Sequence, residues 1–367
     1  LQIVHKSNTD IINSDSENNT AKECGYSSQH IEPQSFLLKT ETCPACDSPK
    51  TFNGFECSQC RYKKVPNTLS LENSTTPNFI NTSDEALWHE GQKAIDRGNP
   101  QELVSVFNNP ILEKDYFLTM VLDYIKTREN GYMIMRPFLK YVAENYDTTN
   151  NDANRMDLWN AFCKTYKIKS EGVSLFDQNA LIVSTFALGD RMLLKRSNKM
   201  EQLIRKERSI VVDDYNKKES TYDGLIYMMY WVKDDQIIPL YIGKADKYGE
   251  NENLVSANFT SDSFFCRWGY AYDYHMGNLS AVVCPGHLVT KKKQNYINWG
   301  NCLFEACPSN NPKLKEEVYF WCHAWNPENE GLGKKMNAGP LILLEAFLIR
   351  TAKSLFPDIL LNVEYAR

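Results

Sequence analysis

The sequence predicts a protein of three parts: a small cysteine-rich module, a mostly α-helical middle domain and a C-terminal α/β (α+β) domain. Three observations predict this organisation. Four cysteines form two close pairs between residues 36 and 65, helical periodicity recurs between residues 82 and 215, and β-branched and aromatic runs begin after residue 220. With 367 residues and 42% hydrophobic content, the chain is long enough to bury two or three cores.

The overall composition excludes few functions. A formal net charge of -5 does not indicate a nucleic-acid binder, although a local basic patch would suffice for one. No run of 18 apolar residues is present, so the sequence predicts no transmembrane helix and no membrane partner. The first residues are polar and lack a signal-peptide layout, and the 11 cysteines are an odd number, unlike a secreted disulfide scaffold. We therefore expect a cytoplasmic protein.

The first 81 residues divide by composition into three segments. Residues 1–35 are rich in polar side chains and predict a disordered or weakly ordered tail, the cysteine module occupies residues 36–65, and a linker rich in Pro, Asn, Ser and Thr follows over residues 66–81. Thr82 and Glu85 then form a capping box, which predicts the start of the middle domain, residues 82–215. Helical periods recur there through residues 101–125, 131–146, 154–166 and 177–208.

The cysteine module has the spacing of a zinc ribbon. Its two CxxC turns, Cys43 with Cys46 and Cys57 with Cys60, would present four thiolates, which suits a closed tetrahedral Zn²⁺ site. A fold of about 25 residues has almost no core, so the metal would supply much of its folding free energy. Basic residues follow the last cysteine and could meet DNA phosphates, although a structural or protein-docking role fits equally well. These residues are Arg61, Lys63 and Lys64.

The end of the middle domain is strongly basic. The segment from Asp190 to Ser209 is predicted to be its last helix, with an apolar stripe that includes Met192, Met200 and Leu203. The basic residues form either a solvated face or a face that contacts DNA phosphates. The candidate DNA contacts among them are Lys195, Arg196, Lys199, Arg205 and Lys206, and the segment also contains Arg191 and Arg208.

The C-terminal domain, residues 220–367, begins with a predicted β-hairpin. Its strands are Leu225–Lys233 and Ile237–Gly243, joined by a charged turn. A third strand is predicted at Lys315–Trp325, and an amphipathic helix follows Pro340 and ends before Pro357. Glu345 lies within the apolar stretch LILLEAFLI of this helix. A carboxylate in such surroundings is costly without a partner, so the sequence favours a ligand role for it.

Short motifs in this domain resemble those of the GIY-YIG nuclease superfamily. Leu225-Ile226-Tyr227 and Tyr241-Ile242-Gly243 correspond to the two named motifs, the first with Leu in place of Gly and the second without change. Four further residues occur in the family's order, namely Lys244, Arg267, Glu345 and Asn362. The resemblance covers residues 220–367 in discontinuous pieces. It departs from the family in two long insertions, residues 246–263 and 277–314.

The resemblance implies a small mixed or antiparallel sheet flanked by helices and a metal-dependent phosphodiesterase site. Glu345 would hold Mg²⁺ or Mn²⁺, and Arg267 and Lys244 would stabilise charge on the phosphate. Tyr227 or Tyr241 would take a proton from the attacking water; the sequence favours Tyr227 slightly but does not decide between them. Asn362 would support the site by hydrogen bonds.

Restriction-type and homing-type members often carry a His shortly after the arginine. The corresponding candidate here, His275, lies eight residues after Arg267. The sequence predicts a helix that starts between residues 264 and 275. His275 would share a face of this helix with Arg267 only if the helix ran unbroken from residue 267.

Two classes of function remain open at this point. The first is a DNA endonuclease acting on double-stranded DNA, used for restriction of foreign DNA or for homing or repair, with a homodimer expected if both strands of a palindrome are cut. The second is a non-cleaving adaptor that binds DNA or protein through its zinc ribbon. An RNA substrate is a further alternative. Several cysteines around the second insertion also leave a second metal site open, namely Cys284, Cys302, Cys307 and Cys322.

Overall fold

The fold was derived from a computed structural model that describes residues 82–128, 131–146, 155–249, 254–287, 293–328 and 340–365. The predicted tail, zinc ribbon and linker lie outside these residues. So do the four ribbon cysteines and the three basic residues that follow them. In the described part of the chain the protein is mixed α+β, with twelve α-helices and a small antiparallel sheet.

Residues 82–145 form a helical unit with its own core. Its helices are α1 (Thr82–Asp96), α2 (Pro100–Phe107), α3 (Lys114–Lys126), α4 (Gly131–Ile134) and α5 (Arg136–Asn145). Helix α2 starts with Pro100 in its first turn, and the Asn99 side chain accepts a hydrogen bond from the Glu102 backbone, so its start is capped as the sequence requires. Buried aromatic and aliphatic side chains, among them Phe107, Phe117 and Phe138, fill the core of this unit.

The next segment contains β-structure where the sequence predicted one long helix. After α6 (Arg155–Thr165) and α7 (Ile168–Glu171) come five short strands, β1 (Val173–Ser174), β2 (Gln178–Asn179), β3 (Ile182–Val183), β4 (Thr185–Leu188) and β5 (Arg191–Leu194). The helix α8 starts only at Asn198 and runs to Asn216, because the Ser197 side chain caps it by accepting from the Met200 backbone. The prediction of a helix over residues 177–197 was therefore wrong. The β-branched and aromatic residues from Ile182 to Phe186 favour strands over a helix.

The main sheet is antiparallel and contains four strands in the order β1-β8-β6-β7. The predicted hairpin is confirmed as β6 (Gly224–Lys233) and β7 (Gln236–Asp246). Asp234 and Asp235 at its turn both have positive φ, which matches the twist of a tight hairpin. The third predicted strand is confirmed as β8 (Tyr319–Trp325) and is shorter than expected at its start. Because β7 is an edge strand, it tolerates Pro239, which cannot donate to a ladder.

The remaining helices cover this sheet. They are α9 (Ala257–Thr260), α10 (His275–Val283), α11 (Gln294–Leu303) and α12 (Leu341–Leu355). The helix expected from residue 264 onward does not form as one piece. Residues Phe265–Arg267 make a single 3₁₀ turn with positive φ at each residue, and the α-helix begins only at His275.

Two helices of the predicted middle domain, α6 and α8, contribute to the core of the main sheet and not to that of the helical unit. Trp159 on α6 and Ile204 on α8 belong to the core of the main sheet, and the Trp159 indole donates to the Ile237 carbonyl of β7 at 3.2 Å. Helix α12 lies between the units, with Ile342 and Leu343 packed on the helical unit and its opposite side on the sheet. The helical unit therefore supports the helix that carries Glu345.

None of the helices described in the structure is long and apolar enough to span a bilayer.

Candidate active site

A cavity of about 700 Å³ opens beside the edge strand β7. Five of the seven side chains that the resemblance singled out line it. They are Tyr227, Tyr241, Lys244, Arg267 and Glu345. The other two, His275 and Asn362, lie behind its wall. The residues come from β6, β7, the 3₁₀ turn and α12, so only the folded chain brings them together.

The two tyrosines lie on one face of the hairpin as diagonal neighbours. Tyr227 is directly opposite Gly243 and Tyr241 is opposite Met229, so the two rings are offset by two residue pairs along the hairpin and their centroids are 6.4 Å apart. Gly243 is needed for this arrangement. A Cβ at residue 243 would lie 2.7 Å from the Tyr227 hydroxyl oxygen and Cε2, so any larger residue would displace the ring. The second motif thus needs glycine at residue 243 because no Cβ fits beside the Tyr227 ring.

Tyr227 begins a buried chain of hydrogen bonds. Its hydroxyl lies 3.1 Å from Nε2 of His275, and Nδ1 of His275 lies 2.8 Å from the Tyr296 hydroxyl. Trp268 and Trp299 pack against the imidazole ring with centroid distances of 4.9 and 5.3 Å. Burial, and then the positive charges of Arg267 and Lys293, lower the pKa of His275 to about 3. The imidazole is therefore neutral at physiological pH, with one nitrogen that donates and one that accepts.

His275 reaches the site by a route that the sequence did not predict. It was expected to depend on a helix running unbroken from Arg267, yet the chain turns between them and His275 is the first residue of α10. Tyr296, on α11, was missed entirely, because it lies in a segment read only as an insertion. No local pattern marks it, and only the fold places it against His275.

Glu345 is a buried carboxylate at the wall of the cavity. Its side chain is almost fully enclosed, and it accepts a hydrogen bond from the Lys244 backbone. Burial is the main cause that raises the pKa of Glu345 to about 8; the Lys244 charge opposes this, and the carboxylates of Asp246 and Glu364 add to it. A cation in the cavity would relieve this cost of burying the charge.

The surroundings of Glu345 fit Mg²⁺ or Mn²⁺ held mainly by the substrate and water. A single carboxylate oxygen is a hard ligand of the kind that Mg²⁺ prefers, and this ion commonly keeps several waters and phosphate oxygens. Over the ranges that the structure describes, no group of three or more His, Cys, Asp or Glu side chains is placed to hold a metal ion. The same finding gives no support within those ranges to a second site made by the cysteines around the insertion.

Arg267 projects from a strained turn. Phe265, Cys266 and Arg267 have φ values of 41°, 50° and 77°, a region that residues with a Cβ rarely occupy. Strain of this kind is concentrated at functional sites, where the surrounding structure enforces it. The Arg267 side chain is exposed, and among the described residues its guanidinium has no hydrogen-bond or ion-pair partner. It is therefore available to a phosphate.

Asn362 fixes the free edge of β7. Its amide accepts from the Ile242 backbone N–H at 2.9 Å and donates to the Ile242 carbonyl at 2.8 Å. The Leu361 backbone N–H also donates to the carbonyl of Leu240 at 2.8 Å. Ile242 lies between Tyr241 and Gly243, and Gly243 packs against the Tyr227 ring. These bonds therefore fix the part of β7 that positions both tyrosines. Asn362 does not line the cavity.

The basic residues predicted to contact DNA lie on α8 and in the two residues before its cap, and most of them are engaged in contacts within the protein. Arg196 is buried and donates to the Trp268 carbonyl at 2.7 Å and to Glu201, so the prediction that it contacts DNA was wrong. Lys195 and Arg205 pair with Asp177 and Asp262 at 2.7 and 2.5 Å. The two remaining candidates, Lys199 and Lys206, have exposed side chains, and Lys206 pairs with Glu207 at 3.2 Å.

Comparisons with known proteins found no family model that matches the sequence, no matching curated protein and no matching solved structure. The residues in the cavity therefore carry the functional argument by themselves.

Proposed function

We propose that this protein is a metal-dependent DNA endonuclease of the GIY-YIG type. The single observation that carries the proposal is the cavity itself. Residues drawn from the whole C-terminal domain in the order expected from the motifs, from Tyr227 to Glu345, line one open space beside the hairpin. The two tyrosines can transfer protons, the two cations can stabilise charge on a phosphate, and the buried carboxylate can hold a metal ion, which together can hydrolyse a phosphodiester.

The acid–base group in this proposal is Tyr227 rather than Tyr241. Tyr227 has a hydrogen-bonded imidazole at 3.1 Å, and in the neutral tautomer with a bare Nε2 this imidazole accepts the phenolic proton. Burial raises the pKa of Tyr227 well above its usual value, so the proton rests on Tyr227 before the reaction. As water attacks phosphorus, Tyr227 takes the water's proton and passes its own to Nε2 of His275. The P–O bond to the leaving oxygen breaks, and this oxygen takes a proton from water in the open cavity. Because burial disfavours the charged imidazole, His275 returns its extra proton to Tyr227, which releases one to solvent, and both groups regain their starting forms.

The cations stabilise the phosphate during this step. Arg267 offers a planar fork to two phosphate oxygens, and Lys244 offers a point charge from the strand beside Tyr241. A bound Mg²⁺ or Mn²⁺ ion at Glu345 would add charge relief at the phosphate and leaving oxygen.

Restriction of foreign DNA is the biological role we propose, with homing or repair as alternatives that use the same chemistry. The CxxC pairs support a structural Zn²⁺ held by Cys43, Cys46, Cys57 and Cys60. The ribbon and the exposed basic residues of α8 would add affinity for double-stranded DNA.

Cleavage of long phage or plasmid DNA tests the proposal. The wild-type protein, checked for folding and bound zinc, is compared in Mg²⁺ or Mn²⁺ with Glu345→Ala. Glu305→Ala is the matched control, because Glu305 is exposed, lies outside the cavity lining and pairs with Lys313 on the surface at 2.7 Å. We expect wild type and Glu305→Ala to cut, and Glu345→Ala to be slower by at least about 100-fold.

Two outcomes would count against this function. Equal cutting by Glu345→Ala and wild type would remove the cavity from the reaction. DNA binding without cutting by the zinc-loaded wild type would favour the non-cleaving adaptor.

A further inference from the structure

A cation from outside the nuclease domain also lines the candidate active site. Arg136 is the first residue of α5 in the helical unit, and its side chain reaches the cavity that holds Tyr227 and Glu345. It lies 110 residues before Asp246, to which its Nη2 donates at 2.9 Å. Both side chains are about one-third exposed, so the pair is open to solvent at the cavity wall.

Asp246 brings two cations together. The same carboxylate oxygen, Oδ2, accepts from Nη2 of Arg136 and from Nζ of Lys244. One negative charge thus holds two positive charges at one side of the cavity, and the group keeps a net positive charge. The guanidinium has five N–H donors, and within the described residues only the bond to Asp246 engages them. The others can bind a further anion.

The position of Arg136 is fixed by packing rather than by a loop. Helix α5 packs against α12, the helix of Glu345, and the Arg350 guanidinium of α12 donates to the carbonyls of Ala143 and Tyr146 at the end of α5, at 2.7 and 2.9 Å. These bonds tie the C-terminal end of α5 to α12. The position of Arg136 in the cavity wall therefore depends on α12, the helix that also positions Glu345.

Arg136 also borders a second open space. A cavity of about 440 Å³ lies between the helical unit and the sheet, and Arg136 and Asp246 line both cavities. A DNA strand whose scissile phosphate meets Lys244 and Arg267 has to continue beyond the first cavity. Arg136 stands at the side where the open space continues.

We propose that Arg136 binds the phosphate adjacent to the scissile phosphate, so that the helical unit forms part of the DNA-binding surface of the cleavage site. The inference rests on the proposed nuclease function. Phosphate is the ligand that fits, because a guanidinium bound to Asp246 through one nitrogen keeps its other N–H donors for a tetrahedral anion, and Lys244 and Arg267 line the same cavity.

The test measures DNA affinity against salt concentration together with the cutting rate. The probe for affinity is a fluorescein-labelled duplex of about 40 base pairs in Ca²⁺, and the substrate for cutting is phage DNA in Mg²⁺ or Mn²⁺. Arg136→Gln is compared with wild type and with Arg97→Gln. Arg97 is the matched control, since it belongs to the same unit, forms an exposed ion pair with Glu102 at 2.8 Å and lines neither cavity.

We expect Arg136→Gln to reduce the slope of log K against log salt by about 1, because one phosphate contact is lost, and to cut at least about 10-fold more slowly. Arg97→Gln should match wild type in both. If Arg136→Gln had the same salt slope and cutting rate as wild type, the inference about Arg136 would be overturned, whereas cutting by the wild-type protein would still support the nuclease function. A wild-type protein that neither binds nor cuts DNA would overturn both.

A second measurement uses the wild-type protein alone and does not depend on the folding of a variant. Phenylglyoxal modifies exposed arginines, and mass spectrometry reports the extent at each one. Saturating DNA should protect Arg136 at least about 5-fold more than Arg97, because the phosphate contact encloses its guanidinium. Equal modification of Arg136 with and without DNA would overturn the inference.

Discussion

At the scale of single residues, the site depends on the absence of a side chain at residue 243, beside the Tyr227 ring. Gly243 lies under the Tyr227 ring, and its neighbours leave no room for a Cβ. Tyr227 is in turn fixed by His275, which is fixed by Tyr296. Each group in this chain orients the next, so the geometry at the cavity is decided by buried contacts outside it.

Substitution of Gly243 should therefore damage both the fold and the chemistry. In Gly243→Ala the new methyl group would overlap the Tyr227 ring, and overpacking of this kind costs about 1–3 kcal/mol of unfolding free energy. The displaced phenol should also slow cutting by at least about 10-fold. Gly249→Ala is the control, since Gly249 lines the same cavity and its nearest new contact would be at 3.8 Å. Denaturant unfolding and a cutting assay check the pair; equal stability of the two variants would argue against the steric role.

His275 should make stability depend on pH. Its pKa is about 3 in the folded protein and about 6.5 when unfolded, so between these values only the unfolded chain binds the proton. The contribution of His275 therefore favours the folded state fully above pH 6.5 and is lost as the pH falls, by at most about 1.4 kcal/mol per pH unit. Glu345, whose pKa is raised to about 8, contributes with the opposite sign below that pH.

Replacing His275 by Gln should flatten this dependence. Urea unfolding from about pH 6.5 to pH 5 measures the slope in each protein. The contribution of Glu345, with its raised pKa, is present in wild type and variant alike, so the difference between their slopes reports on His275. His89→Gln is the control, because His89 is exposed on α1. The same slope in wild type and in His275→Gln would show that His275 is not buried as a neutral group.

At the scale of elements, the sequence predicted what local pattern encodes and missed what distant contacts decide. The hairpin, β8 and α12 were predicted correctly because alternation and amphipathic spacing mark them. The prediction of a helix before α8 was wrong, because the spacing of basic and apolar residues there resembles that of a helix. The β-branched residues form strands instead, and the Ser197 cap makes α8 start later than predicted. Arg136, Asp246 and Tyr296 could not be predicted, since each meets the site through contacts between distant segments.

The edge of β7 gives a prediction at this scale. Asn362→Leu would leave the Ile242 N–H and carbonyl without partners, and each unpaired buried group costs about 1–3 kcal/mol. Asn362→Asp keeps the acceptor for the Ile242 N–H but sets a second oxygen against the Ile242 carbonyl, so it should be more stable at a pH low enough to protonate this carboxyl than at neutral pH. Denaturant unfolding compares the variants. If Asn362→Leu were as stable as wild type, the C-terminal segment would not hold the strand.

At the scale of the whole molecule, the two cores are joined at the helix that carries the candidate metal ligand. Helix α12 packs on the helical unit through Ile342 and Leu343 and on the sheet through its other side. Arg136 extends this arrangement into the cavity. Three cations, Lys244, Arg267 and Arg136, line a single cavity together with the carboxyl groups of Asp246, Glu345 and Glu364. A metal ion at Glu345 would add the positive charge that a phosphate needs there.

The central claim is that the Tyr227 hydroxyl acts on the phosphodiester inside this cavity. The most direct test is the single-turnover rate of DNA cutting by Tyr227→Phe beside Tyr230→Phe. Tyr230 lies on the same strand and is equally buried, but its hydroxyl donates to the Ile168 carbonyl at 2.9 Å and does not line the cavity. We predict that Tyr227→Phe cuts at least about 100-fold more slowly than wild type, whereas Tyr230→Phe retains most of the rate. Cutting by Tyr227→Phe at the wild-type rate would contradict the account.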